Sequence, residues 1–276
     1  MSGDADRLSV QQLYGEIWVE DDPAFEAAIH TSLNPRHADV LYDFFAGFGV
    51  GPGDLVLDVG ARDARYAVEL ARRFGCRAVA IDPVAAHLDR ARALVAEAGM
   101  AGRVVPVGAA IEALPLRDGA VDAVWSRDML VHVDLPAGLA ECFRVLRPGG
   151  DMLVYVTLAT PALEPAEARR LFAASAIVPA NMAPAHFEET ARAAGFTIAL
   201  RDPIDSEWRE RWAEEGSRAL LDDLLAIARL RRQEDDLVRR FGRARYEASW
   251  GGRAWGIYQL LGKLCPTVYL LRKPEG

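Results

Sequence analysis

The fold is decided by the stretch Val56-Leu57-Asp58-Val59-Gly60-Ala61-Arg62-Asp63-Ala64, which Asp82 follows eighteen residues after its end. A short apolar strand ends here in a tight turn, and a helix follows. The first turn of a helix offers free backbone N–H groups and a positive dipole end, while a glycine lets a ligand approach the backbone. An acid that ends the neighbouring strand can accept hydrogen bonds from both hydroxyls of a ribose.

Outward from this turn, apolar strand candidates alternate with helix candidates. Such alternation at this spacing indicates right-handed crossovers and a parallel sheet with helices on both faces. We therefore predict an α/β fold, with a doubly wound, Rossmann-like, mostly parallel sheet of seven strands and helical insertions that form a cap. The strand candidates are 55–59, 77–81, 104–107, 120–125, 152–158, 196–200 and 267–272, and the helix candidates are 64–74, 84–98, 136–146 and 186–195.

Two segments, 160–185 and 203–265, do not fit this alternation. The second is mostly helical in pattern and holds four of the six tryptophans. A block of this length beside a doubly wound sheet often caps the ligand crevice, although its aromatic residues could equally serve only to fix it to the sheet. The predicted organisation is an N-terminal helical segment that covers the site, a core, a helical cap and a final core strand, at 1–50, 51–202, 203–265 and 266–276.

The composition is that of an ordinary globular protein. Of 276 residues, 51% are hydrophobic and 26% charged, and the net charge is −8, which argues against nucleic acid as a partner. Residues 1–6 are polar, without the pattern of a signal peptide, and no run of 18 apolar residues suggests a membrane span. Three cysteines without a C-x-x-C pair indicate neither disulfides nor a metal site, so we expect a cytoplasmic protein.

Several common site motifs are absent. Read as a dinucleotide fingerprint, the turn from Gly60 to Arg65 has one of the three required glycines. Asp58 would also repel a pyrophosphate, whereas it would attract a ligand that carries an ammonium group. The sequence contains no G-x-S-x-G elbow, no Walker A loop and no H-E-x-x-H pair.

Taken together, five motifs resemble those of the class I S-adenosylmethionine-dependent methyltransferases. The resemblance runs from about residue 52 to 158 and more loosely to the C-terminus. No one motif decides the assignment, but all five occur in the family's order and spacing. They are Val56-Leu57-Asp58-Val59-Gly60, Ala80-Ile81-Asp82, the stretch from Ala113 to Asp122, Trp125-Ser126-Arg127-Asp128, and the stretch from Arg144 to Gly150.

The resemblance implies S-adenosylmethionine as the cofactor and a role for each matching position. Gly60 and its neighbours would pass close to the methionine part, Asp58 would face its amino group and Asp82 would bind the ribose. The alternative for Asp82 is a helix cap before Pro83. The implied cofactor residues are Asp58, Gly60, Ala61, Arg62, Asp82 and Pro83, then Ala110, Ile111 and Glu112 beside the adenine, and Ser126 and Arg127 beneath the cofactor.

The sequence departs from the family at three of these positions. The family usually has D-x-G-x-G-x-G in the first loop, and here Arg62 and Ala64 replace the second and third glycines. Ala110 stands where an acid often holds the adenine amine. Arg62 could point outward, pair with the cofactor carboxylate or fill the pocket, and we expect binding to be retained because Asp58, Gly60 and Asp82 remain.

His132 and Asp128 are the candidates for catalysis. Methyl transfer mainly needs alignment, but a hydroxyl nucleophile also needs a base. The run from Ser126 to His132 is similar to that of phosphoethanolamine N-methyltransferases, in which this histidine and aspartate serve catalysis and substrate binding. Asp128, four residues earlier, could orient His132 or hold a cationic substrate. The alternatives are a partly buried helix histidine bonded to a backbone carbonyl and an acid in the first turn of a helix, where the dipole stabilises it.

Other polar residues are weaker candidates. His37 or Tyr14 could reach the substrate from the N-terminal segment, although a surface role is the simpler interpretation for each. His87 is expected to face solvent, and His186 to lie at the surface or cap a helix. The arginine-rich run at 229–245 fits a solvated helix face with ion pairs between successive turns.

We therefore expect an enzyme that transfers a methyl group from S-adenosylmethionine to an oxygen or nitrogen of a small molecule, in secondary metabolism. The alternative is a methyltransferase-like fold that performs a cyclisation or rearrangement, or serves as a non-catalytic subunit. The altered first loop keeps this alternative open. A homodimer is compatible with either reading.

Overall fold

The structure is a computed structural model that describes residues 7–19 and 22–275. The expectation about residues 1–6 lies outside the described residues. The chain forms two compact units, with the boundary between Pro35 and Arg36. This boundary lies 15 residues before the predicted one at residue 50, because the helix that follows residue 39 belongs to the sheet domain.

The N-terminal unit contains helices within its described residues, 7–19 and 22–35. It contains α1 (Val10–Gln12), a π-helical turn (Leu13–Ile17) and α2 (Pro23–His30). The carboxylate of Asp22 accepts hydrogen bonds from the backbone of Ala24 and Phe25, and Pro23 occupies the first turn, so the start of α2 is well capped.

The second unit is built on one seven-stranded sheet. Its order is β3-β2-β1-β4-β5-β7-β6, and the prediction of a mostly parallel seven-stranded sheet is confirmed. The first five strands in this order run parallel, and β7 runs antiparallel to both of its neighbours. The strands are β1 (Leu55–Val59), β2 (Arg77–Asp82), β3 (Val104–Gly108), β4 (Val121–Arg127), β5 (Leu146–Ala159), β6 (Thr197–Pro203) and β7 (Leu264–Arg272).

The helices of this unit lie between the strands and in the two segments that the alternation left out. They are α3 (Val40–Ala46), α4 (Arg65–Phe74), α5 (Ala85–Glu97), α6 (Leu135–Val145), α7 (Pro165–Ala174), α8 (Pro184–Ala193), α9 (Glu207–Glu214), α10 (Ala219–Arg232), α11 (Glu234–Phe241) and α12 (Arg243–Leu260). Within the described chain no helix is both long enough and apolar enough to span a membrane.

Side-chain alternation along the strands divides the core into two faces. On one face, Leu57 and Val124 pack with helices that include α6 and α8. On the other, Val56 and Trp125 pack with α3 and the start of α9. Because β1 lies between β2 and β4, the chain leaves the sheet in opposite directions at this point, and a crevice opens beyond the carboxyl ends of the strands.

The segment 203–265 is anchored to the sheet at its first helix. Trp208 of α9 is buried and stacks on Tyr155 of β5, with ring centroids 4.7 Å apart and ring planes within 9° of parallel. At the same end of the segment, Arg36 donates hydrogen bonds to Asp202 at 2.6 Å and to Glu207 at 2.7 Å. The stacked ring pair and the arginine bridge together fix where α9 leaves the sheet.

Candidate active site

A cavity of about 650 Å³ lies at the carboxyl ends of β1, β2 and β4, between the sheet and the segment 203–265. This volume is typical of a site for a small organic ligand. Its position is the crevice that a doubly wound sheet creates where strand order reverses. The lining residues are Gly60, Ala61, Arg62, Asp63, Arg65, Tyr66, Asp82, Pro83, Val84, His87, Arg127, Asp128, Met129, His132, Val133, Tyr155, Trp208, Arg209, Trp212, Trp255 and Gln259.

The loop between β1 and α4 keeps a glycine-type backbone without its usual glycines. Gly60 has a φ of +71°, and Arg62 and Ala64 have φ values of +52° and +60°. Each non-glycine residue in this left-handed region costs on the order of 1–2 kcal/mol. The loop therefore follows the path that glycines would allow, and the side chain of Arg62 is exposed at the edge of the cavity.

Asp82 organises this loop from the end of β2. Its carboxylate accepts hydrogen bonds from the backbone N–H groups of Arg62 and Val84, both at 2.9 Å, and lies 3.0 Å from His87 Nδ1. The bond from Val84 closes a turn and is not the helix cap of the alternative interpretation, because α5 begins at Ala85 and its N-cap residue is Val84. Since a carboxylate offers about four acceptor positions, these contacts leave capacity for a ligand hydroxyl. The expectation that His87 faces solvent is wrong, because its bond to Asp82 draws the ring into the cavity wall.

Two of the predicted cofactor residues, Asp58 and Ser126, are buried and do not line the cavity. Asp58 Oδ2 and Ser126 Oγ have no hydrogen-bond partner among the described residues, and the same holds for the indole nitrogens of Trp125 and Trp208, of which Trp208 does line the cavity. Asp58 accepts a hydrogen bond from the backbone of Ala67, yet burial raises the pKa of its carboxyl from 3.8 to about 8. Because an unpaired buried carboxyl oxygen is costly, Asp58 remains a candidate for a ligand contact.

The segment predicted to lie beside the adenine is not part of the cavity wall. The side chain of Ile111 is buried in the core, and Glu112 accepts a hydrogen bond from the backbone of Asp134 at 3.1 Å. Ala110 is exposed, and none of the three residues lines the cavity. On this side the wall is formed by Pro83, Val84 and His87 instead.

His132 and Asp128 both line the cavity, but they do not form the predicted pair. A 3₁₀ turn covers only Leu130–His132, and Asp128 lies before it with a φ of +54°, so the two residues do not share a helix face. His132 Nδ1 lies 3.1 Å from the carbonyl oxygen of Ala176. The carboxylate of Asp128 accepts a hydrogen bond at 3.0 Å from the backbone N–H of Thr157.

These separate contacts determine the hydrogen bonding of His132 and of Asp128 independently. A carbonyl oxygen can only accept, so Nδ1 of His132 donates this hydrogen bond, and Nε2 has no hydrogen-bond partner among the described residues. Burial raises the pKa of Asp128, which opposes its ionisation. The arrangement therefore provides one uncommitted basic nitrogen at the cavity wall, and the prediction that Asp128 could orient His132 is wrong.

The remaining early candidates lie elsewhere. The ring of His37 accepts a hydrogen bond from the backbone of Asp39 at 3.1 Å, and its side chain is 45% exposed. His186 lies beside a shallow groove between α6 and α8. Tyr14 is exposed within the N-terminal unit.

A comparison with known families decides the identity of this domain. Residues 56–150, which include the β1 turn, β2 and β4, match the family model described as a methyltransferase domain. The chain carries a class I S-adenosylmethionine-dependent methyltransferase domain. The prediction of the family and of its cofactor is thereby confirmed.

Individual relatives agree with this assignment. A sarcosine/dimethylglycine N-methyltransferase of Halorhodospira halochloris is 37% identical over 105 residues, which are 38% of each chain. A crystal structure described as a sarcosine dimethylglycine methyltransferase from Galdieria sulphuraria has a TM-score of 0.66 at 20% identity and covers 86% of this chain and 85% of its own. The [4+2]-cyclase SpnF has a TM-score of 0.65 at 24% identity, over 87% of this chain and 82% of its own.

The sequence alignments cover the domain better than the whole proteins. The chain spans between 19% and 58% of the length of the first curated relatives that it matches. The structural likeness at these identities establishes the fold.

The residues of the methyltransferase domain fit S-adenosylmethionine. The unpaired carboxyl oxygen of Asp58 suits the amino group of its methionine part, and Asp82 retains acceptor capacity at the position expected for the ribose. One further contact bears on the fit, because the side chain of Met129 lies against Gly60, within 2.6 Å of where a Cβ would stand. A flexible methionine can change rotamer to admit a ligand there.

Sequence reasoning missed one wall of the cavity. Its residues come from β5, α9 and α12, far along the chain from the family motifs. The four tryptophans of the segment were a signal, and their density indicated a role for the segment without showing which rings reach the cavity. The residues missed on this wall are Tyr155, Trp208, Arg209, Trp212, Trp255 and Gln259.

Proposed function

We propose that this chain transfers the methyl group of S-adenosylmethionine to a nitrogen or oxygen of a small molecule held beneath the segment 203–265. The observation that carries the proposal is one continuous cavity of about 650 Å³ that is lined by Asp82 at the end of β2, by His132 and by the aromatic wall. A cofactor and an acceptor bound side by side in this cavity would meet the requirement of direct group transfer.

The cofactor region consists of the β1 turn and the end of β2. Asp82 would accept from the ribose, and Asp58 would pair with the amino group and ionise as it does so. When bound, S-adenosylmethionine supplies an electrophilic methyl group on a sulfonium. The contribution of the protein is to hold the acceptor in line and to exclude water, because such a transfer needs no covalent help from a side chain.

His132 is proposed as the general base of the acceptor region. Its Nδ1–H is held by the carbonyl of Ala176, so Nε2 is the nitrogen that would take a proton from a hydroxyl or an ammonium acceptor. Nitrogen as the target is supported by the N-methyltransferase relative, and oxygen by the presence of this base.

The His132→Ala variant tests this assignment. Loss of a positioned base is expected to lower kcat by about 10²–10⁴-fold. The affinity for S-adenosylhomocysteine, measured by isothermal titration calorimetry, should change by less than twofold. His87→Ala is the matched control, since His87 contacts Asp82 rather than the acceptor region and should weaken cofactor binding more than turnover. Unchanged turnover in His132→Ala would remove this residue from the mechanism.

A second candidate function is a cyclisation or rearrangement, because the cyclase SpnF shares the fold. A repurposed domain would bind the cofactor without consuming it. Saturating S-adenosylmethionine, at about 100 times its Kd, should stabilise the protein by about 2.7 kcal/mol in either case. Mass spectrometry of reactions with a panel of amines and hydroxyl compounds then separates the two. A methylated product supports the proposed function, whereas a cofactor that binds and is never consumed supports the second.

A further inference from the structure

The acceptor wall of the cavity holds two guanidinium groups that have no carboxylate partner. Arg127 and Arg209 both line the cavity, and neither takes part in an ion pair with any described residue. Arg62 on the β1 turn also has no ion pair with a described residue, but its side chain is exposed at the cavity edge. Arg65 pairs with Asp63, and Asp82 accepts three hydrogen bonds.

Arg209 is fixed in place by neutral contacts. Its Nε donates a hydrogen bond at 2.7 Å to the side chain of the buried Gln259, whose own amide donates to Thr157 at 3.3 Å. The guanidinium also lies 5.0 Å from the ring centroid of Trp212. Gly256 makes room for it, since a Cβ at that position would stand 3.2 Å from the central carbon of the guanidinium.

This arrangement leaves the terminal nitrogens of Arg209 available. Among the described residues they make no hydrogen bond, although the side chain is half-buried. Burial lowers the pKa of Arg209, while the nearby side chains of Tyr155, Asp128 and Asp223 act to raise it. A buried cation without a partner is costly, and a guanidinium whose Nε is already fixed presents two terminal N–H groups suited to bidentate binding of an oxyanion.

Arg127 adds positive charge on the same side of the cavity. Its guanidinium lies over the ring of Tyr66 at 4.5 Å, and 5.4 Å and 5.5 Å from the rings of Tyr155 and Trp208. Asp128 is the acid closest to this region, but burial raises its pKa and its carboxyl is bonded to Thr157. The acceptor wall therefore combines flat aromatic surfaces with uncompensated positive charge.

From these contacts we infer that the acceptor carries an oxyanion on an apolar body, and that Arg209, positioned by Gln259, binds this oxyanion. The inference deepens the proposed function, on which it rests, by naming the class of acceptor. A carboxylate and a phosphate share the necessary chemistry. The aromatic walls formed by Tyr155, Trp212 and Trp255 would pack against the apolar body of the acceptor.

The test measures binding rather than methyl transfer, so that it can succeed or fail apart from the proposed function. The protein is saturated with S-adenosylhomocysteine and titrated calorimetrically with phenylacetate, phenyl phosphate and the neutral phenylacetamide. We expect at least one of the two anions to bind tenfold or more tightly than the amide. Comparison of phenylacetate with phenyl phosphate decides between a carboxylate and a phosphate.

Two variants assign the effect to its residue. Arg209→Met should remove the preference for the anion while leaving the Kd for S-adenosylhomocysteine within twofold, and Arg209→Lys should restore part of the preference. Arg211→Gln, an exposed change on the same helix, is the matched control and should bind as the unchanged protein does. Equal binding of anion and amide, binding of neither, or an anion preference that survives in Arg209→Met would each overturn the inference.

These outcomes remain distinct from those for the proposed function. Methylated products from neutral acceptors, with no anion preference, would leave the methyltransferase assignment intact and remove the oxyanion site. An anion preference that depends on Arg209, in a protein that never consumes the cofactor, would retain the site and remove the assigned activity.

Discussion

The buried carboxyl of Asp58 should make the stability of the unliganded protein fall as the pH rises. The informative change is Asp58→Asn, which keeps the shape of the side chain and removes its ionisation. In the folded protein the pKa of Asp58 is raised from 3.8 to about 8, chiefly because the side chain is fully buried. Between these two values the folded state holds the proton and the unfolded state has released it.

The direction and size of the effect follow from proton linkage. The native state binds one proton more than the unfolded state over this range, so the free energy of unfolding falls by about 1.4 kcal/mol for each pH unit. The contribution of Asp58 is thus most favourable near pH 4 and is lost as the pH rises toward 8. Between pH 5 and pH 7 the expected loss relative to the variant is about 3 kcal/mol.

Urea unfolding of both proteins at pH 5, 6 and 7, without cofactor, provides the measurement. The amide of the variant can still accept from Ala67, but it introduces a buried N–H group that costs about 1–3 kcal/mol at every pH. This offset is independent of pH, so only the slope of the difference matters. Parallel stability curves for the two proteins would refute the burial argument and, with it, the reason for assigning Asp58 to a cationic ligand group.

Two further predictions concern the loop and the attachment of the cavity roof. Arg62→Gly should stabilise the protein by about 0.5–1 kcal/mol in urea unfolding, because a glycine relieves the left-handed backbone by more than it adds to the entropy of the unfolded chain. Ala64→Gly should be nearly neutral, because the same relief is offset by the loss of a fully buried methyl group. Equal effects at the two positions would contradict this explanation. Arg36→Gln should lower the free energy of unfolding by about 1–2 kcal/mol and speed proteolysis within 203–265, because the arginine bridge from Asp202 to Glu207 is lost. An unchanged cleavage rate would show that Trp208 alone holds the segment.

The sequence predicted the sheet because each strand carries its own local signal. Apolar runs such as Leu55–Val59 are short and bounded by turns, and their alternation with helical patterns leaves few topologies. The predicted ends of the strands were less accurate where the backbone adopts an unusual conformation. The fifth strand begins at Leu146 rather than Met152, since Gly149, with a φ of +70°, lets the chain pass through the turn without ending its pairing.

The candidate site was predictable only where local sequence determines position. Asp82 and Gly60 belong to strand ends that any such sheet brings together, and both line the cavity. The pairing of Asp128 with His132 failed because it assumed a helix, whereas a positive φ at Asp128 turns its carboxyl toward Thr157. Backbone conformation of this kind depends on the neighbouring strand β5 and leaves no periodic trace in the sequence.

In the altered loop, the family motif and the structure lead to different expectations for the effect of Arg62 on the site. A motif counts the missing glycine as lost function, since glycine alone adopts a left-handed backbone without cost. The structure retains that backbone and draws the N–H of Arg62 to the carboxylate of Asp82 at 2.9 Å. Because the main chain rather than the side chain forms this contact, the strand-end acids can keep their arrangement through a glycine replacement. Under the proposed function, substrate choice would depend on α9 and α12, whose residues line the cavity and lie outside every family motif.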